Sequence, residues 1–339
     1  MRVIHGGNRW RSFVRTVWDG GAGTTGVLLQ AILFPFQLAY HAVIALRNFA
    51  YDRSWLPSER APIPVVSIGN LSVGGTGKTP FARWIVDALL RRGARPAVLH
   101  GGYGADEPAL HRRWHADVPV EVGKDRVASA HAAAAQGATV AVLDDGFQHR
   151  RLERALDIVL LAAEEWRGNV RLLPAGPWRE PLSALERADL IVVTRRSASR
   201  AEAVAVADTV RARIHGKAIA IAAIRPSGWT RARQDVSAPS EPAVAVAAIA
   251  RPDLFVTNAT EAGARIVEVL SFPDHHAFTR EDAERILSVA SGRPILMTGK
   301  DAVKLVDPIA ETDVWILEQA VEIEAGAVVV EQLLDKLLS

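Results

Sequence analysis

The sequence predicts an α/β protein: a parallel sheet with helices on both faces, a second and smaller α/β domain after it, and an apolar helix before it. Three observations carry that expectation. From Pro62 short apolar runs alternate with stretches of helical periodicity, and the same texture returns from about Glu241. Chemically loaded residues sit just past the C-terminal ends of several runs, where an open α/β sheet binds its ligand. Residues 22–50, AGTTGVLLQAILFPFQLAYHAVIALRNFA, are apolar in texture and carry no charge before Arg47, the previous one being Asp19.

The chain has 339 residues, enough for two domains of ordinary size, and its 49% apolar and 23% charged composition is globular, not disordered. It contains no cysteine, which excludes disulfides, thiolate metal sites, iron–sulfur clusters and Cys nucleophiles. A net charge of +2 gives no reason to expect a nucleic-acid partner, but the charge is uneven: residues 1–60 hold seven Lys/Arg against three Asp/Glu. The expected division is an N-terminal docking segment at 1–58, a core at 59–235 and a C-terminal α/β domain at 236–339. The segment Arg225–Pro242, rich in turn formers and charge, supplies the second boundary.

Within the N-terminal segment Gln30, Pro35, Gln37 and His41 interrupt the apolar run, which makes it a poor transmembrane span. It begins too far into the chain for a secretory signal and lacks the cleavage site. With Arg9, Arg11, Arg15, Arg47 and Arg53 flanking it, the reading is a helix lying on anionic lipid. A buried helix packed on the next domain is the alternative that periodicity leaves open. Strands follow at 65–68, 96–99, 138–143, 157–161 and 190–193, then in AVAVAAI, ARIVEVL, PILMTG and DVWIL, and the alanine-rich 128–135 reads as a helix.

The first of these strands runs into SIGNLSVGGTGKTP, residues 67–80. The phosphate-loop pattern G-x-x-x-x-G-K-[ST] is met except that Ser72 stands at the first glycine. The strand–loop–helix context still makes a nucleotide site, so the core is expected to be of the P-loop NTPase type. Gly74, Gly75, Thr76 and Gly77 would cradle phosphate, Lys78 would reach the β- and γ-phosphates, and the Thr79 hydroxyl would hold Mg²⁺. VAVLDDGFQHR is an apolar strand ending in two acids, the Walker-B position, where Asp144 or Asp145 would ligate the metal and the other would orient water or substrate. In HGGYGADEP, Asp106 is a candidate general base, with a solvated acidic turn as the alternative. In FPDHHAF adjacent histidines rarely converge on one ion, so one imidazole is expected to partner a catalytic acid, or else to cap a turn. PAGPWREP sets Arg179, a candidate phosphate contact, beside Glu180, with an exposed salt bridge as the alternative. VVTRRS lies where GTPases read guanine, but it lacks the aspartate of that motif.

Taken together these stretches resemble the tetraacyldisaccharide 4'-kinase (lipid A 4'-kinase) family. The resemblance runs in order through RNFAYDRSWLPS, PVVSIGNLSVGGTGKTP, DEP, VGKDRVASA, LDDGFQHRRLERALDIVLL, LLPAGPWREPLSALERADLIVVTR, FPDHHAFT and MTGKDAVKL. That family carries Thr or Ser at the position of Ser72. The resemblance implies Mg²⁺-dependent transfer of the ATP γ-phosphate to the 4'-hydroxyl of an acylated glucosamine disaccharide 1-phosphate, at the cytoplasmic face of the bacterial inner membrane. It assigns Lys78 and Thr79 to phosphate and metal, Asp144 and Asp145 to metal or its water, Asp106 to the base, His275 to that base's partner, and Arg179 and Glu180 to a nucleotide-proximal pair. A membrane-associated nucleotide switch and a relative without catalysis are the competing functions. The sequence departs from the family pattern in three places: Gly101 stands where an arginine is usual, Ala105 alone separates Gly-Tyr-Gly from Asp-Glu-Pro, and Gly299 replaces a glutamate.

Overall fold

The computed structural model describes residues 2–5, 9–18, 21–102, 104–168, 170–307, 309 and 314–339. In chain order the elements are β1 (Arg2–His5), α1 (Arg9–Trp18), α2 (Gly23–Asp52), β2 (Val65–Asn70), α3 (Lys78–Arg91), β3 (Pro96–His100), α4 (Asp106–Trp114), β4 (Val120–Val122), α5 (Arg126–Ala135), β5 (Val140–Asp144), β6 (Leu156–Ala162) and β7 (Leu190–Arg195). They continue with α6 (Arg200–Arg213), β8 (Ala218–Arg231), β9 (Gln234–Val236), β10 (Ala243–Ala247), α7 (Pro252–Glu261), β11 (Ile266–Ser271), α8 (Arg280–Ala290), β12 (Ile295–Thr298), α9 (Gly299–Ala302), β13 (Val314–Ala325) and α10 (Ala327–Leu338).

The chain divides into two compact units. One comprises Trp10–Tyr103, His115–Ile224 and Val321–Ser339, the other Met1–Arg9, Gly104–Trp114 and Arg225–Ala320. One unit boundary, at Ile224/Arg225, falls at the start of the stretch 225–242 expected as a boundary. That stretch contains the end of β8 and the short antiparallel β9, joined through Ala232 and Arg233 at positive φ. Strands β8 and β13 each begin in one unit and end in the other, and α4 belongs to the second unit. Periodicity describes contiguous stretches, and it carries no record of a chain that leaves a unit and returns.

In the first unit the parallel order is β8-β7-β6-β2-β5-β3-β4. Strand β2 therefore lies between β5 and β6, and the crevice beyond its C-terminal end is the natural ligand position. Strands β2, β3, β5 and β6 are buried throughout, as continuous apolar runs require when helices cover both faces. Helix α3 lays Phe81, Ala82, Ile85, Val86, Ala88 and Leu89 on the sheet at helical spacing, and each fully buried large side chain contributes roughly 1.5–3 kcal/mol. Arg92, just past α3, pairs with Asp335 and Glu331 of α10 and fixes the last helix to the unit. In the second unit β1-β11-β10-β12-β13 run parallel over two buried clusters, one around Phe272, Ile286 and Met297, the other around Trp229, Phe255 and Leu296.

Helix α2 is 30 residues long and apolar enough, by length and composition, to cross a bilayer. Its apolar face is exposed, with Val27, Ile32, Phe36, Val43 and Leu46 each more than half accessible. Gln30, Tyr40, Arg47 and Asn48 face inward instead. Gln30 bonds the Val17 carbonyl and Arg171, Tyr40 donates to the Arg179 carbonyl at 3.0 Å, Arg47 to the Gln148 carbonyl at 2.6 Å, and Asn48 to Glu180 at 2.8 Å. The helix is not buried, so that alternative is not met, and one expectation is corrected: Arg47 is spent on the protein, while Arg53 stacks on the Phe49 ring at 5.1 Å. The side chains of Arg9, Arg11 and Arg15 lie outside the described residues.

Candidate active site

The phosphate loop is built by what holds it. Leu71–Val73 pairs with the 177–179 stretch: Val73 N–H donates to the Pro177 carbonyl at 2.7 Å, Arg179 N–H to the Leu71 carbonyl at 2.6 Å, and Ser72 bridges Trp178. Ser72 is thus extended backbone, and the left-handed positions fall on Gly74 (φ 148°) and Gly77 (φ 87°). At Gly77 a Cβ would lie 2.1 Å from Ile224 Cδ1, so this position needs glycine twice over. Helix α3 starts at Lys78, leaving the first N–H groups directed out of its N-terminus, and Pro80 costs nothing in that first turn. Inside the loop, Asn70 Nδ2 donates to Thr76 Oγ1 at 3.0 Å, and the buried Thr194 hydroxyl donates to the Thr76 carbonyl at 2.8 Å.

Strand β5 brings the two acids to the same end of the sheet, with Asp144 opposite Ile68 of β2. Asp144 is buried at 1% exposure, whereas Asp145 turns outward with φ 59°, a left-handed conformation that costs a non-glycine residue on the order of 1 kcal/mol. That turn gives Asp145 two cations: Lys78 Nζ lies 3.5 Å away and Arg179 Nη1 3.1 Å away. Thr79 is buried at the helix start. A Thr hydroxyl and a strand-end carboxylate are hard oxygen donors of the kind Mg²⁺ takes along with phosphate oxygens. The described residues contain no cluster of three or more acids or histidines able to hold a metal by themselves.

Glu180 is wholly buried. One carboxylate oxygen accepts from Asn48 (2.8 Å) and Arg187 (2.9 Å), the other from Gln148 (3.0 Å), whose Nε2 also reaches the Asn70 carbonyl (2.9 Å). The expected Arg179–Glu180 pair therefore splits. Arg179 turns to the acids, and Glu180 braces α2, β2 and the Asp-Asp-Gly-Phe-Gln turn against one another.

In the other unit α4 begins at Asp106, whose carboxylate is 4% exposed and whose Oδ2 lies 2.9 Å from His275 Nδ1. His275 is held at φ 60° with its N–H on the Ala248 carbonyl. Gly104 (φ 113°) comes so near that a Cβ there would fall 2.8 Å from Asp106 Oδ1. Burial pushes the Asp106 carboxyl up, but the His275 hydrogen bond and the Lys300 charge outweigh it and hold the group below its ordinary value. The same hydrogen bond raises His275 against the opposing effect of its partial burial. The adjacent His276 goes elsewhere, to Asp282 at 2.8 Å in the cap of α8, so the two histidines serve different partners.

Sequence reasoning passed over three participants. Arg196, just past β7, donates to the Gly75 carbonyl and pairs with Glu164 at 3.0 Å, clasping the phosphate loop from outside. Asn48 is the partner through which α2 reaches Glu180. Lys300 sits in a recognised block and pairs with Glu107 at 2.7 Å. A charged or amide residue next to a strand end or a recognised motif is the only signal each of them carried.

The fold and these groups define a P-loop phosphotransferase type of protein with a separate carboxylate–imidazole pair. The family model described as tetraacyldisaccharide-1-P 4'-kinase matches residues 29–106 and 104–338. The tetraacyldisaccharide 4'-kinase of Halorhodospira halophila is 40% identical over 314 residues, covering 87% of this chain and 89% of that protein. That of Anaeromyxobacter dehalogenans is 38% identical over 362 residues, covering 95% and 94%. A crystal structure of the "apo" form of LpxK from Aquifex aeolicus in complex with ATP is 28% identical, with a TM-score of 0.73 over 92% of this chain and all of that one. The chain belongs to the tetraacyldisaccharide-1-P 4'-kinase family. The two matched segments overlap at residues 104–106.

Proposed function

We propose that this chain is the kinase that uses ATP to phosphorylate the 4'-hydroxyl of tetraacyldisaccharide 1-phosphate, the product being lipid IVA of lipid A biosynthesis. The observation that carries the reading is the Asp106–His275 pair in a chain that also holds a complete phosphate loop. A nucleotide switch has no use for such a base, and a relative without catalysis has no reason to keep it buried and paired.

The acceptor oxygen attacks the γ-phosphorus as the bond from that phosphorus to the β-bridging oxygen breaks, and ADP leaves. Asp106, oriented by His275, takes the hydroxyl proton. Lys78, the loop N–H groups from Gly74 to Gly77 and Arg179 offset charge on the phosphates. Asp145, which pairs with Lys78 and Arg179, would leave both cations to the phosphates and hold the metal or its water. Thr79 and Asp144 would hold Mg²⁺, which when bound neutralises charge on the β- and γ-phosphates. Glu180 serves as a brace.

The exposed face of α2 supports peripheral attachment to the anionic inner-membrane surface, on the cytoplasmic side where ATP is found. Its polar contacts from Gln30 to Asn48 cover about 27 Å of helix at 1.5 Å per residue. A helix tied to a globular unit over that length lies along a bilayer and does not cross it.

The test is transfer of labelled γ-phosphate from ATP to purified tetraacyl disaccharide 1-phosphate in detergent micelles with Mg²⁺. Product from wild type, and little from Lys78→Ala or Asp106→Ala, supports the reading. ATP binding without product overturns it.

A further inference from the structure

The base has a third attendant. Asp106 and Glu107 are the first two residues of α4, and Lys300 Nζ lies 2.7 Å from Glu107 Oε1. Lys300 comes from α9, a single turn fixed by Thr298, whose hydroxyl accepts from Asp301 N–H at 3.2 Å and donates to Asp301 Oδ2 at 2.8 Å. Helices α4 and α9 pack closely because residue 299 has no side chain: a Cβ on Gly299 would lie 3.0 Å from Leu110 Cδ1. The far end of α4 is tied down as well, through Arg113 to Glu318 at 2.6 Å.

We propose that Lys300 is a positioning residue for phosphoryl transfer, tethering α9 to the first turn of α4 through Glu107 and setting its positive charge at the end of α4 that carries Asp106. The proposal rests on the kinase reading above, with Asp106 as base. Lys300 acts through other groups and has no contact of its own with the reacting atoms.

The charges around Asp106 come from three elements. Glu107 on its own helix disfavours a second negative charge beside it; His275 on the segment after β11, itself near Asp274, favours it; and Lys300 on α9 favours it. A carboxylate at 4% exposure has little water to stabilise its charge, so nearby cations decide its state. Lys300 acts twice, by attracting Asp106 directly and by cancelling Glu107. Without it the desolvation of Asp106 and the charge of Glu107 would be opposed by one cation fewer. A proton acceptor must be ionised to work, so the acid limb of the rate profile would move to higher pH.

The experiment is the pH dependence of kcat and kcat/KM for the acceptor in wild type, Lys300→Met, Lys300→Arg and the double variant Lys300→Met with Glu107→Gln. Lys300→Met is expected to lose about tenfold in kcat on the acid side and far less on the alkaline side, the change that one unit in the pKa of a general base produces. The KM for ATP should not move. Lys300→Arg restores the profile, and Glu107→Gln partly rescues Lys300→Met by removing the charge that Lys300 cancelled. A merely structural tether predicts the reverse: a uniform drop at every pH, which Glu107→Gln leaves unchanged or worsens. That outcome, or a Lys300→Met profile equal to wild type, overturns the proposal. If Lys300→Met fails to fold, a Glu107→Gln single variant with its acid limb shifted to lower pH sustains the proposal and an unshifted limb sinks it. Wild type that cannot phosphorylate the disaccharide fails the kinase reading itself, and an Asp106→Asn variant with full activity fails the base assignment; either takes this proposal with it.

Discussion

His275 Nδ1 lies 2.9 Å from Asp106 Oδ2 although 169 positions separate the two residues, and both belong to the same compact unit. The hydrogen bond keeps the carboxylate ionised despite its burial and fixes which oxygen remains for a substrate. Asp106→Asn preserves shape and removes proton acceptance. Its kcat should fall about 10²–10⁴-fold, the usual contribution of a general base, with KM for ATP unchanged. His275→Gln should fall less, since the base survives without its orienting partner. Steady-state kinetics with both substrates varied decides this, and an Asp106→Asn enzyme as active as wild type excludes the assignment.

Lys78 and Arg179 both reach Asp145. Removing the Lys78 ammonium takes away a charge aimed at the transferring phosphate, worth about 10²–10³ in kcat for a comparable electrostatic contact. Lys78→Ala should also weaken nucleotide binding measured by calorimetry. Asp145→Asn loosens the two cations before ATP arrives, so it should lower kcat while leaving nucleotide affinity equal or tighter.

Glu180 is fully buried and Arg187 largely so. Glu180→Ala would leave a buried guanidinium unpaired and release Asn48 of α2, at a cost of about 3 kcal/mol. Chemical denaturation measures that loss. Glu180→Gln, which keeps hydrogen-bonding capacity, should lose less. Equal stability of wild type and Glu180→Ala would show that the network braces nothing.

The exposed apolar face of α2 gives a prediction about membranes. Replacing Ile32, Phe36, Val43 and Leu46 with serine removes the surface that would enter the lipid interface while leaving Tyr40, Arg47 and Asn48 to hold the helix. Cosedimentation with vesicles containing anionic phospholipid should drop sharply, and activity on short-chain acceptor in solution should persist. Undiminished cosedimentation would assign membrane contact to another surface.

His149 is partly buried and faces Arg126, Arg154, Arg47 and Arg151; burial first, then these charges, depress it from an ordinary 6.5 to about 4. The unfolded chain therefore binds a proton on this group at a higher pH than the folded one does. Stability attributable to His149 is complete above pH 6.5 and is lost as pH falls from there toward 4. His149→Gln should flatten the dependence of melting temperature on pH in that window. A slope identical to wild type would mean that the ring is already charged or exposed.

Much of the core could be read from the residues because it is built from local patterns. Buried parallel strands require continuous apolar runs, and the runs at Val65, Val140, Leu156 and Leu190 became β2, β5, β6 and β7 with ends shifted by one or two residues. The loop from Gly74 to Thr79 was legible for the same reason: a left-handed turn opening a helix leaves a local signature in glycine, lysine and threonine. Harder to see were the short β1 and β4, which have too few residues for any period, and β8, whose second half falls in a stretch that looks like a linker. The inward-facing polar stripe of α2 was hidden because glutamine, tyrosine and asparagine in an apolar run look the same whether they point to lipid headgroups or to a buried glutamate.

The sequence by itself determined the class of chemistry. A phosphate loop, strand-end acids and the order of the motifs depend on residues close together in the chain, where spacing alone constrains geometry. Tertiary structure decided the surroundings of each carboxylate. Glu180 and Asp106 are both acids in proline-flanked motifs, yet one is sealed under Arg187 and Asn48 while the other retains an oxygen beside His275. It also decided that Lys300 stands by the base and that Gly299 leaves room for it. Burial and charge act through space and fall off over a few ångströms, so the environment of each carboxylate is set by neighbours that the order of residues does not name.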